Sequence, residues 1–183
     1  IRFKPLFQGV KQLLLAVIDT GGLNSGWQVQ GDWAVPGGSV PVPASVSPAA
    51  GSGSAQTFSF SFTDAGGAAE IAAAYMMIAD AGRTCYAVYW RGDNLLYLLN
   101  DALTAPAGVL TPGAGRIENS QCVVDGAASG SVLSGTVLTV TLALQFKAAF
   151  TGSKDIFMAV IDADGLNSGW HKRGSWTVTA GGG

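Results

Sequence analysis

Very few side chains in this sequence are of the types that do chemistry. His171 is the one histidine among 183 residues, and it follows a turn that occurs twice, with Gln28 at the matching place in the other copy. A general base or metal ligand does not interchange with an amide that takes up no proton near neutral pH. His171 is therefore read as a polar residue on the solvent side of a strand. Asp162, Asp164 and Asn167 have the outline of a calcium loop, but a hard cation needs six or more oxygens, and an EF-hand would close on a bidentate Glu. No such Glu follows, and Gly21 stands in the first copy where the second has Asp164. The expectation is a turn in which Asp and Asn bond their own backbone, with no metal. Arg91-Gly92-Asp93 spells the tripeptide read by integrins, yet the same residues make the best hairpin turn in the chain. There is no serine elbow, no Cys/His pair and no phosphate-cradling glycine loop after a strand. Acidic residues are too thinly spread to mark a glycosidase pair. The reading is a protein that is not an enzyme and has no cofactor.

Binding chemistry leaves more candidates. Aromatic faces are the usual contact for sugar rings, and Trp27, Trp33, Trp170 and Trp176 invite that reading. Simple alternation, however, puts Trp170 and Trp176 on one face with Val178, which predicts packing in a core or at a sheet edge. Tyr86, Trp90 and Tyr97 are the better candidates for exposed, glycan-stacking rings. Cys85 and Cys122 each lie in or beside a strand-like run. They are expected to form a disulfide, two buried free thiols being the alternative, and their spacing fits neither a zinc nor a redox motif.

Charged residues make up 12% of the chain, about half the usual share, and the net charge of −2 offers no basic field for nucleic acid or anionic lipid. No apolar run reaches the length of a membrane span. Few lysines, abundant Gly and Ser, and a disulfide pair favour an extracellular or cell-surface location.

The elements that must carry these residues are set by a repeat. Ala16-Val17-Ile18-Asp19-Thr20-Gly21-Gly22-Leu23-Asn24-Ser25-Gly26-Trp27 returns as Ala159-Val160-Ile161-Asp162-Ala163-Asp164-Gly165-Leu166-Asn167-Ser168-Gly169-Trp170. At that offset of 143, residues 1–35 and 144–178 agree at 18 of 35 positions. A long fixed period means tandem modules. Residues 1–35 are read as the closing β-hairpin of a preceding repeat, 36–54 as a Pro/Gly/Ser-rich linker that becomes an edge strand, and 55–180 as a complete module. Asp19, Asn24 and Trp27, with Asp162, Asn167 and Trp170, mark the repeated turn. Within the module Phe58, Phe60 and Phe62 alternate with small polar residues, as do Leu138, Val140, Leu142, Leu144 and Phe146. Residues 68–79 predict a short helical turn followed by a strand over 74–79. Residues 101–120 and 126–135 read as surface connection and turn.

Seven or eight short strands with turn signals between them predict an all-β sandwich. The Phe58–Phe62 strand, the 138–146 strand and the closing hairpin 156–178 resemble the immunoglobulin-like and fibronectin type III-like modules strung in tandem in large secreted bacterial proteins. The resemblance implies an immunoglobulin-like β-sandwich and a structural or adhesive role, with a carbohydrate-binding module of a secreted enzyme as the alternative. It departs from antibody domains in its cysteines, which join the middle of the module and not its second and penultimate strands. Residues 1–35 are expected to find a sheet by strand addition, either at the edge of their own module or, the favoured version, in a neighbouring copy in place of residues 144–178, a route to fibres. Surface glycans are the other expected partner, with no nucleic acid and no membrane insertion.

Overall fold

The computed structural model describes residues 3, 7–35 and 37–181, and Pro36 of the expected linker lies outside them. The chain divides into two units, residues 1–38 and 39–183. The first is a hairpin of β1 (Gly9–Leu15) and β2 (Gln28–Val35). The second is a two-sheet sandwich built from β3 (Val42–Ser47), β4 (Ala50–Ser52), β5 (Ala55–Thr63), β6 (Ile71–Ala79), β7 (Thr84–Trp90), β8 (Leu95–Leu99), β9 (Pro106–Leu110), β10 (Arg116–Glu118), β11 (Cys122–Ser134), β12 (Val137–Phe146), β13 (Gly152–Asp162) and β14 (His171–Val178).

One sheet runs β10-β11-β12-β5-β3 and the other β4-β14-β13-β6-β7-β8-β9. In immunoglobulin lettering the first is A-B-E-D plus an edge strand, and the second is A′-G-F-C-C′-C″ plus an edge strand. That is an immunoglobulin-like β-sandwich with the strand order of the variable type. The alternating strands behave as their pattern requires. Phe58, Phe60, Phe62, Leu138, Val140 and Val160 are all fully buried, in one core with Leu142, Ile156, Met158 and Trp176. Such side chains contribute about 1.5–3 kcal/mol each when fully buried.

Three expectations are corrected. The proline-rich stretch, expected as a linker that becomes an edge strand, supplies two edge strands, A and A′, so the compact unit of the sandwich takes in residues from 39 onward. Val46 is in the core, and Gly51 lies so close under the Trp176 indole that a Cβ there would collide with the ring. Residues 101–120 contain β9 and β10, and residues 126–135 mostly continue β11 past an irregularity between Asp125 and Gly130. The strand after the short 3-10 turn at Ala68–Glu70 begins at Ile71, where its apolar run begins, three residues earlier than expected.

The repeated turn keeps its main hydrogen bonds, and the second copy adds one from Asp164 N to Asp162 Oδ1 at 2.9 Å where the first has Gly21. Asp19 Oδ1 accepts from Leu23 N at 2.9 Å, and Asp162 Oδ1 from Leu166 N at 2.8 Å. Asn24 and Asn167 accept from Gly26 N and Gly169 N, both at 2.8 Å. Ser25 Oγ and Ser168 Oγ each accept from the backbone N of the facing valine. Gln28 Nε2 donates to Ser25 O at 3.1 Å, and His171 Nε2 to Ser168 O at 3.0 Å, which explains why histidine and glutamine interchange here. Because the sandwich has its own core, removing residues 1–35 should leave the melting temperature of the remainder within about 3 °C, by calorimetry. A loss of cooperative melting would contradict the two-unit division.

Candidate functional site

The inward side of the seven-stranded sheet is the core, so any site on this sheet must use its outward side. Along β7, Tyr86, Val88 and Trp90 alternate with the buried Cys85, Ala87 and Tyr89 and therefore face out. Tyr97 of β8 stands opposite Val88, and Tyr75 of β6 stands opposite it on the other side. On β13 the outward position beside Tyr75 is Ala159, whose small side chain leaves a gap. Trp170, just past the turn, leans over that gap.

Tyr75, Tyr86 and Trp170 form a mutual cluster. Ring centroids are 5.5 Å apart for Tyr86–Trp170, 6.3 Å for Tyr75–Trp170 and 6.5 Å for Tyr75–Tyr86. The Trp170 ring meets Tyr75 and Tyr86 edge-to-face at 63° and 70°, an arrangement that the ring quadrupoles favour, and the two tyrosine rings are tilted at 50° to each other. With Ala159, Asn167 and Gly169 they line a notch of about 170 Å³. That is smaller than the 300–1,000 Å³ typical of drug-sized ligand pockets and large enough for one small ring. Burial raises both tyrosine pKa values, and for Tyr86 the neighbouring Tyr75 adds to it, so both phenols stay neutral near pH 7 and are available as hydrogen-bond donors.

Sequence reasoning singled out Tyr86, Trp90 and Tyr97, and all three lie on this outward face. It missed Tyr75, whose outward alternation with buried Ala74 and Met76 was the available signal. Alternation also misplaced Trp170, which is 46% exposed while Trp176 is buried in the core. The cause is a register shift. Ile156 pairs with Gly174 and Phe157 with Lys172, so Arg173 is an extra residue that reverses the facing of everything before it. The first hairpin carries the same shift, Leu13 pairing with Gly31 and Leu14 with Val29.

The other sequence candidates are occupied structurally. Asp162 is buried and spends its Oδ1 on the N–H groups of Asp164 and Leu166. Arg91 donates through Nε to the Ile71 carbonyl, which withdraws it from the Arg-Gly-Asp turn. Cys85 and Cys122 are bonded to each other, joining β7 of one sheet to β11 of the other. No cluster of metal-ligating residues occurs among the described residues, and no helix among them is long and apolar enough to cross a membrane. No protein-family model and no curated protein matches the chain.

Proposed function

We propose that this chain is a non-catalytic structural or adhesive repeat module of an extracellular or cell-surface protein, linked to its neighbours by strand addition. The observation that carries this is the hairpin of residues 9–35. It repeats the closing hairpin of the sandwich in turn hydrogen bonds, register shift and side-chain sequence, as one module of an array repeats the next. The interior disulfide suits an oxidising compartment.

The Tyr75–Tyr86–Trp170 notch favours a second reading, a carbohydrate-binding module. Its crossed rings form a slot that would grip one sugar ring by its edge and do not form a flat platform. The two readings separate on a glycan array probed with the full chain and with Trp170→Ala. The structural reading expects both proteins at background. The binding reading expects retention of a defined glycan, weakened about tenfold or more when the indole is removed, since aromatic contacts of this kind are worth on the order of 1–2 kcal/mol.

A further inference from the structure

Residues 9–35 repeat not only a turn but an entire buried interface. In the sandwich, the side of β13 and β14 that faces the core presents Ile156, Met158, Val160 and Trp176, each no more than 4% exposed. The hairpin has Leu13, Leu15, Val17 and Trp33 at the matching places, 49–65% exposed. These pairs are identical or nearly equal in volume, the condition under which a core accepts substitution. By contrast, several outward strand positions of the two hairpins change character, as with Val10 against Ser153 and Val29 against Lys172, while the turn between the strands is kept.

A charged contact is repeated as well. Lys154 Nζ lies 4.6 Å from the centre of the Phe150 ring, and Lys11 Nζ lies 4.6 Å from that of Phe7, at the same offset in sequence. Lys154 is buried and is held by the Asp80 carboxylate at 2.6 Å. Trp176 donates through Nε1 to the Gly53 carbonyl at 3.1 Å and stacks its ring over Gly51 of β4.

From this we infer that the hairpin is the closing F–G hairpin of a second sandwich with the same core as residues 39–181, and that its acceptor is an open module lacking such a hairpin. This rests on the structural reading above and names its partner. The acceptor's groove presents apolar sockets for the four inward side chains, a carboxylate facing Lys11 as Asp80 faces Lys154, and a glycine-containing edge strand under Trp33. An intact second copy does not meet the description. Its slot is filled by its own β13–β14, and exchanging one hairpin for an isosteric one exposes as much surface as it buries while adding the cost of association.

The test is a full-length chain in which residues 152–178 are replaced by a copy of residues 9–35. The expected result is a cooperative melt within about 10 °C of the parent, with the Cys85–Cys122 bond formed. In that chimera Asp80→Ala should lower the melting temperature by about 10–20 °C, as in the parent, because the lysine inherited from Lys11 takes the buried position. A second chimera, with threonine in place of the copied Leu13, Leu15 and Val17, should not fold. Failure of the first chimera to fold overturns the inference, as does indifference to Asp80→Ala or equal stability of the threonine version. None of these outcomes touches the structural reading of residues 39–181, which the glycan array decides separately.

Discussion

Replacing Asp80 by alanine should destabilise the sandwich by about 3–5 kcal/mol, the usual consequence of stranding a buried charge. Lys154 is 1% exposed, and its ammonium has three contacts: Asp80 Oδ2 at 2.6 Å, the Thr151 carbonyl at 3.1 Å and the Phe150 ring. Asp80 also accepts from Arg83 NH2 at 2.7 Å and from the backbone N of Gly82 and Arg83 through Oδ1. The carboxylate is thus the only full negative charge in a cluster of two cations and a ring. A double variant, Asp80→Ala with Lys154→Met, should recover more than half of the lost stability, since an apolar side chain of similar length then fills the space. If the single and double variants melt together, the buried charge is not the source of the effect.

The same group sets an acid limit. Lys154 first, then the Gly82 N–H and Arg83, hold the Asp80 carboxyl well below the ordinary carboxylate range. A depressed folded-state pKa contributes stability that is present above the unfolded value, near 4, and is lost as pH falls below it towards the folded value. The melting temperature of the parent should therefore drop steeply between about pH 4 and pH 2, and Asp80→Ala should show a shallower acid limb.

What could be read from the residues, and what could not, follows from how locally each feature is encoded. The strands at 58–62 and 138–146 alternate over a long enough stretch that only one face could be buried, and both landed in the core with every phenylalanine and leucine inward. β8 and the repeated turn carry their own punctuation in Asn, Asp and Gly. Edge strands do not. β9 and β10 bury little, so their residues keep the Gly, Pro and Ala composition of a loop. The later half of β11 is mostly Gly, Ala and Ser, and Gly126 packs against the Ala114 carbonyl too closely for any side chain. The register shifts at Gln30 and Arg173 leave no mark in an alternation count, yet the second decides which tryptophan enters the core and which lines the notch. The Lys154–Asp80 pair joins residues 74 apart, and no local pattern announces it. The candidate site was half legible for the same reason. Tyr86, Trp90 and Tyr97 lie on two well-marked strands, whereas Tyr75 and Trp170 join Tyr86 only through strand pairing and the shifted register.

Removing the disulfide should cost nearly as much as removing Asp80, and it tests how the two sheets are held together. Cys85 and Cys122 are 37 residues apart, so loop closure alone contributes about 4 kcal/mol in the chain-entropy model. Both cysteines are buried, 2% and 0% exposed, and they connect C′ to D where antibody domains connect B to F. At the B and F positions this protein has Phe58, Phe60 and Phe62 facing Ile156, Met158 and Val160, so its centre is held by packing and the bond secures the C′ side. Next to the bond, Asn119 adds a second tie: its Nδ2 donates to the Leu99 carbonyl on β8 while its Oδ1 accepts from Gln121 N and Cys122 N, each at 2.9 Å. Tyr89 adds a third, its hydroxyl lying 2.7 Å from Ser131 Oγ of β11. These ties keep their partners when the sulfurs part, so the sandwich of a Cys85→Ala, Cys122→Ala double variant should still fold, with a melting temperature lower by about 10–15 °C. In the parent, reductant alone should act slowly because both cysteines are buried, and should act fast once denaturant opens the sheets. Thiol titration of the unreduced, denatured chain should find no free group. Finding two free thiols there would refute the bond, and with it the strongest support for an extracellular setting.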